Sequence, residues 1–174
     1  MNILFQGKII EVVQEGKREY ARRSPGTRLL IIKDKKILLT KEFREEVKGY
    51  DYRLPGGKVF DTLVTYNKFI ETGNNVLPIA MEAAKKEARE EVGIVPTETK
   101  HIYTSVCGAT VVWDLFYFVV SKFEELPTQS LEDGEDIRPE WFTFEEAKQM
   151  ALSGKMSEDR SVAVLLRFLQ SNTS

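Results

Sequence analysis

The chain has 174 residues, 42% of them hydrophobic, which suffices for one sizeable core and a single domain spanning residues 1–174. Its 25 basic and 27 acidic residues leave a net charge of −2, which excludes a global attraction to nucleic acid, so any phosphate binding must be local. Cys107 stands alone and cannot form an internal disulfide, and neither a signal peptide nor an apolar run of ~20 residues is present; the expectation is a cytoplasmic protein without membrane contact.

In chain order, Lys8 to Val13 is an apolar, β-branched run that reads as a strand. The segment Leu4-Phe5-Gln6-Gly7 before it resembles part of an engineered protease-cleavage site, and no argument rests on these first residues. Thr27 to Lys33 and Lys36 to Thr40 form two further strands joined at Asp34-Lys35 as in a tight hairpin. Tyr50 to Val59 reads as a short strand broken by the turn Pro55-Gly56-Gly57. Asp61 to Pro78 shows no clear periodicity. A helix follows from about Ile79 to Val92, opened by Pro78 and closed by Gly93 in the position of a left-handed cap. Ile102 to Val106 and Val111 to Val120 are expected strands, the second apolar enough to lie centrally in a sheet. Gln129 to Glu135 is an acidic loop, Ile137 to Phe142 a strand, and Phe144 to Leu152 and Glu158 to Leu169 two amphipathic helices. No internal repeat or low-complexity tract occurs.

The chemistry concentrates at the end of the first long helix. Glu87, Glu90 and Glu91 are spaced by three and four positions and crowd onto one side, where three like charges repel. One reading is a solvated face on which Lys85, Lys86 and Arg89 pair with them. The other is a site for a hard cation such as Mg2+, which takes oxygen ligands and shares its remaining positions with water and phosphate. Such an ion would offset charge on a diphosphate and acidify a water while a nearby carboxylate removes the proton.

Lys86-Glu87-Ala88-Arg89-Glu90-Glu91-Val92-Gly93-Ile94 resembles the second half of the signature of the Nudix hydrolases, G-x5-E-x7-R-E-U-x-E-E-x-G-U, with Lys86 for Arg and the small Ala88 for a bulky residue. The lead-in is Leu54-Pro55-Gly56-Gly57, with Gly57 fifteen residues further upstream than the pattern places it, which implies an insertion within Asp61 to Pro78. Pro78 stands where the signature has its first Glu. Since that Glu and the missing Arg commonly pair with each other in the family, their joint loss points to a rebuilt loop, in which Lys86 pairs with Glu82 or Glu90. Phe60 occupies a position that is often acidic in the family. Glu42-Phe43-Arg44 and the C-terminal third, from Glu132-Asp133-Gly134-Glu135 to Ser153-Gly154-Lys155-Met156, are similar to the ADP-ribose pyrophosphatase branch.

The resemblance implies an α/β fold, the Nudix α/β/α sandwich with a mixed central sheet. It also implies magnesium, with manganese as the alternative, held by Glu87, Glu90 and Glu91, and a general base in the acidic loop, Glu135 first and Asp133 second. Arg44, Arg53 and Gly57 are the expected substrate-binding residues, although either arginine also has carboxylates nearby in sequence to pair with. The implied substrate is a nucleoside diphosphate linked to another moiety, with ADP-ribose the best single choice. A GDP-sugar, a dinucleotide or a nucleoside triphosphate would use the same helix, and a non-catalytic nucleotide-sugar-binding domain is the competing class. The branch commonly forms homodimers, to which residues 1–25 would contribute. Outside the signature, Tyr52, Phe60 and Trp113 read as core aromatics, with stacking on a base as the alternative. His101 reads as a surface residue at a strand edge and Cys107 as a small buried residue.

Overall fold

The computed structural model describes residues 2–132 and 134–172. Ten strands and four helices alternate as follows among these residues: β1 (Asn2–Gln6), β2 (Glu11–Glu15), β3 (Arg18–Arg22), β4 (Gly26–Lys33), β5 (Lys36–Arg44), β6 (Gly49–Arg53), α1 (Leu63–Glu71), α2 (Leu77–Val92), β7 (Ile94–Ser105), β8 (Val111–Val112), β9 (Leu115–Glu125), β10 (Ile137–Thr143), α3 (Phe144–Leu152) and α4 (Asp159–Asn172). None of the described helices is long and apolar enough to cross a membrane.

The central sheet runs in the order β10-β5-β4-β9-β7, with β6 pairing the C-terminal half of β5. It is mixed: β4 and β9 are parallel, and the other pairs are antiparallel. Alternation along β4 and β9 divides the core, because successive side chains leave a strand on opposite faces. Leu29, Ile31, Phe116, Phe118 and Val120 meet α2 on one face. Leu30, Leu115 and Tyr117 meet α3 and α4 on the other. The result is the α/β/α sandwich that the resemblance implies. A second sheet, β1-β2-β3-β8, joins the three N-terminal strands to Val111–Val112.

The β4–β5 hairpin turns at Asp34 and Lys35, which both adopt positive φ (51° and 57°), the requirement of the two-residue turn whose twist matches the flanking strands. α2 begins two residues earlier than the sequence suggests, with Leu77 N–H bonded to Asn75 Oδ1 at 2.9 Å. It ends at Gly93, whose φ of 64° is the left-handed cap.

Several elements differ from the sequence expectation: the strand read at Lys8 to Val13 lies at Glu11–Glu15, and β1 and β3 flank it where none was expected. The stretch 61–78 is largely the helix α1, capped by the Thr62 hydroxyl, which accepts from Thr65 N–H at 3.1 Å. Its Tyr66 and Phe69 rings pack on Phe60 at 5.4 and 5.1 Å, so Phe60 is the apolar seat of the inserted helix. Asn67 also donates to Glu11 at 3.0 Å, and Glu11 is ion-paired with Arg22 at 2.7 Å, which ties α1 to the N-terminal sheet. The apolar run at 111–120 is not one strand: Val111 and Val112 pair with β3, and the chain crosses to the central sheet at Trp113-Asp114. β7 extends over twelve residues rather than the five of 102–106. Cys107 lies in the loop after β7 and is exposed rather than buried.

Candidate active site

α2 presents Ala80, Ala84 and Ala88 at four-residue intervals to the sheet, all fully buried. Methyl side chains let the helix axis approach the strands closely, which accounts for the small residue at position 88. The closely seated helix carries Glu87 and Glu91 on its flank against the turn that follows β6. There Gly56 N–H donates to Glu91 Oε2 at 2.7 Å. The Glu87 carboxylate lies over Gly57, where any Cβ would collide with it. Gly57 thus gives the Glu87 carboxylate the space it occupies. Gly56 itself has a φ of 143°, and a Cβ there would strike the Thr27 carbonyl.

Burial pushes the Glu87 carboxyl up to about 7; Lys86 opposes the shift, and Glu90, Glu135 and Glu132 add repulsion. Burial pushes Glu91 up to about 8, with repulsion from Glu87 added and the Gly56 N–H opposing. Glu90 is turned aside and pairs with Lys86 at 2.8 Å, one of the two partners expected for Lys86. Lys85, not Lys86, takes Glu82. Among the described residues no three acidic, histidine or cysteine side chains converge into a ready-made metal cage.

The buried Glu91 and the half-buried Glu87 nevertheless suit a hard divalent cation. No ion pair engages either among the described residues, each offers acceptor-only oxygens once deprotonated, and Mg2+ is typically bound by one or two carboxylates, with water and substrate phosphates completing its shell.

Glu87, Glu90 and Glu91 open into a cleft of about 570 Å³. Gly56 and Gly57 also line it, as do Glu132, Gly134, Glu135 and Asp136 of the acidic loop. That loop is anchored on the end of α2. Leu126 N–H donates to Gly93 O at 2.7 Å and Ser130 N–H to Glu90 O at 3.0 Å, while the Gln129 amide donates to the Glu91 and Ile137 carbonyls. These bonds satisfy carbonyls that a helix end leaves open, and they fix the loop stem beside the glutamates. Glu135 is exposed, its carboxylate accepting from Glu132 N–H at 3.0 Å. Asp133 lies outside the described residues.

Both expected arginines line the cleft, and both are engaged by carboxylates. Arg44 pairs with Glu42 at 2.6 Å. Arg53 pairs with Asp51 at 2.7 Å and Glu46 at 3.0 Å, with its side chain only 14% exposed. Arg28, likewise on the wall, is held by Glu158. Among the described residues, Arg23 and Lys58 are the cleft cations without an ion-pair partner. The Arg23 guanidinium lies 4.2 Å from the centre of the Trp113 ring, and its Nε is buried without a hydrogen bond. Burial lowers its proton affinity, as does the neighbouring Arg28 charge.

Sequence reasoning missed Arg23, Lys58, Arg28 and Glu158. Only Arg23 carried a detectable signal, as a cation at the end of a strand beside the Ser24-Pro25-Gly26 turn. Of the three aromatics, Phe60 is core, Tyr52 is half-buried against Phe142, and Trp113 lines the cleft beneath Arg23. His101 is half-buried on the edge strand β7, its ring against Phe118 at 5.5 Å.

The fold recurs in solved structures. One described as an ADP compounds hydrolase shares 17% identity, with 96% of this chain and 94% of that one covered and a TM-score of 0.64. A MutT structure, from work on the fish pathogen Aliivibrio salmonicida and on Vibrio cholerae, shares 21% identity over 74% of this chain and 85% of that one, with a TM-score of 0.50. No curated protein matches the sequence significantly. The profile of the NUDIX domain matches residues 22–164, which take in the glycine turn, the glutamate helix and the acidic loop, and the chain belongs to the Nudix hydrolase family.

Proposed function

We propose that the protein hydrolyses the diphosphate bond of a nucleoside diphosphate linked to a second moiety, with Mg2+ or alternatively Mn2+, and that ADP-ribose, cleaved to AMP and ribose 5-phosphate, is its first candidate substrate. The observation that carries this reading is the polarity of one cleft. Its lining combines the α2 glutamates Glu87, Glu90 and Glu91 with Arg23 and Lys58, cations without an ion-pair partner among the described residues. A diphosphate with its metal ion would draw on both.

Glu87 and Glu91, with Glu90 once released from Lys86, would hold the ion, and Gly56 N–H fixes the orientation of Glu91. The bound ion would supply Lewis-acid stabilisation of the phosphate oxygens and a more acidic water. Arg23 would hold the phosphate by charge-assisted hydrogen bonds, kept in place by the face of Trp113. Glu135, which lines the cleft, is the proposed proton acceptor, with Asp133 second. Arg44 lies close enough to join the phosphate by exchanging Glu42 for it, and Arg53, tied to Asp51, is the weaker candidate. A protein described as an ADP compounds hydrolase shares the fold, which is in keeping with an ADP derivative as first candidate. We further read residues 1–174 as one domain acting as a homodimer in the cytoplasm.

Incubation with Mg2+ or Mn2+ and a panel of ADP-ribose, GDP-sugars, dinucleotides and nucleoside triphosphates, with products identified by mass spectrometry, tests the proposal. Turnover of ADP-ribose to AMP above the rest is expected. Nucleotide binding without turnover of any of them would instead establish the non-catalytic class.

A further inference from the structure

Gly56 is gripped from both sides. Its N–H serves Glu91, and its carbonyl accepts from Arg28 Nη1 at 3.3 Å. The same Nη1 donates to the Thr27 carbonyl at 2.8 Å, the very group that a Cβ at position 56 would strike. The rest of the guanidinium forms a two-pronged pair with Glu158, Nε to Oε2 at 2.8 Å and Nη2 to Oε1 at 2.7 Å. Glu158 is held in turn by the Ser161 hydroxyl, which contacts Tyr117 OH at 3.2 Å beneath the sheet. The segment leading into α4 is fixed separately, because Asp51 accepts from Ser157 N–H at 2.9 Å and from its hydroxyl at 2.6 Å. A continuous chain of polar contacts therefore runs from Tyr117 through Ser161, Glu158, Arg28 and Gly56 to Glu91.

Fold stability alone does not account for this arrangement. A buried ion pair typically recovers little more than its desolvation penalty, and apolar residues of similar volume often replace it without loss. What such residues cannot replace is a planar donor fork that reaches two carboxylate oxygens and two main-chain carbonyls together.

We propose that the Arg28–Glu158 pair is a positioning element of the site: by holding the Gly56 carbonyl it sets the glycine turn, and so aims the Gly56 N–H that orients Glu91. The kinetic consequence rests on the hydrolase reading above; the structural consequence does not.

The test compares Arg28→Met/Glu158→Met, Arg28→Lys and Glu158→Gln by amide hydrogen exchange at Gly56, Mn2+ affinity by calorimetry, and kcat and KM on ADP-ribose. The double variant is expected to fold with a cooperative melt while its Gly56 amide exchanges about 10-fold faster and Mn2+ binds several-fold more weakly. Its kcat should fall about 10- to 100-fold, the scale of a small misplacement at a reacting centre, with KM changed by no more than about 3-fold. Arg28→Lys keeps the charge but has no fork, and should resemble the double variant. Glu158→Gln leaves one acceptor and sets an amide NH2 against the other guanidinium N–H, and should fall between the parent and the double variant. Unchanged Gly56 exchange and Mn2+ affinity in both Arg28 variants would overturn the proposal, as would a full rescue by lysine. Should the double variant fail to fold, the two single ones decide. Absence of turnover in the parent would count against the hydrolase reading alone, and the exchange and metal measurements would still settle the role of the pair.

Discussion

Replacing Glu91 with Gln should make the metal-free protein more stable and the metal-loaded protein inactive. Glu91 is only 8% exposed, and its carboxyl is pushed from the ordinary 4.5 up to about 8, chiefly by burial. A carboxyl whose proton affinity is raised by folding leaves the native state intact below its unfolded pKa. It withdraws stability as pH climbs through the folded one, so the window runs from about pH 4.5 to 8. At about 1.4 kcal/mol per unit the shift corresponds to roughly 4 kcal/mol at pH 8. Glutamine retains an oxygen for the Gly56 N–H, and its new amide can donate to Glu87, so most of the cost of the charge is removed. A net gain of about 2–3 kcal/mol raises the melting temperature of a chain this size by roughly 4–12 °C. The assay is differential scanning calorimetry in a chelator at pH 8 and at pH 5, and again with saturating Mg2+. The variant should melt higher than the parent at pH 8, equally at pH 5, and show no stabilisation by Mg2+, whereas the parent should gain stability with the ion. A variant that melts lower than the parent at pH 8 in chelator, or higher by the same margin at both pH values, would refute the reasoning.

Arg23→Ala should lower kcat/KM on the preferred substrate by about 10- to 100-fold, the worth of a charge-assisted hydrogen bond, and initial-rate kinetics beside Arg53→Ala would show the greater loss at position 23. Gly57→Ala places a methyl group into the Glu87 carboxylate; we expect a near-complete loss of metal-dependent turnover with a stability cost of about 1–3 kcal/mol, read by activity and chemical denaturation together. On the acid side, pairing with Arg28 outweighs burial and holds the Glu158 carboxyl down to about 2. A depressed carboxyl contributes stability above its unfolded value of about 4.5 that is lost as pH falls toward 2. The parent should therefore lose stability over that interval more steeply than Glu158→Gln, and denaturation midpoints taken at half-unit steps of pH would reveal equal slopes if the pair carries no such linkage.

What the sequence disclosed and what it withheld divide along a physical line. α2 was readable at both ends because Pro78 and Gly93 act through backbone geometry alone, which any neighbourhood preserves. α3 and α4 were readable because burial on one face imposes a period on their residues, and β4 and β5 because burial on both faces leaves continuous apolar runs. α1 escaped notice, although Leu63, Tyr66 and Ile70 have helical spacing and Thr62 is a good cap, because Val64 and Thr65 are β-branched and the segment is short. The break at Trp113-Asp114 was hidden for the opposite reason. Val111-Val112 and Leu115 onward are both apolar strands, and only pairing partners far away in sequence place them in different sheets.

The same distinction decides the site. Position on a helix face makes Glu87 and Glu91 neighbours of the cleft, and spacing shows it. Which cations remain free to meet an anion is a matter of pairwise competition, and spacing is silent on it. Arg44 and Arg53 stand next to the right motif, but Glu42, Asp51 and Glu46 reach them first. Arg23 stands one residue from Arg22, whose carboxylate partner is Glu11. Its own guanidinium faces an indole instead. An arginine over an aromatic ring keeps its in-plane donors directed outward, since the π face engages the flat of the group and not its N–H edge. The Trp113 contact therefore holds Arg23 without an ion pair that a phosphate would have to break, whereas a carboxylate partner must be displaced before Arg44 or Arg53 can bind anything. The preference for Arg23 as the phosphate ligand follows from this difference.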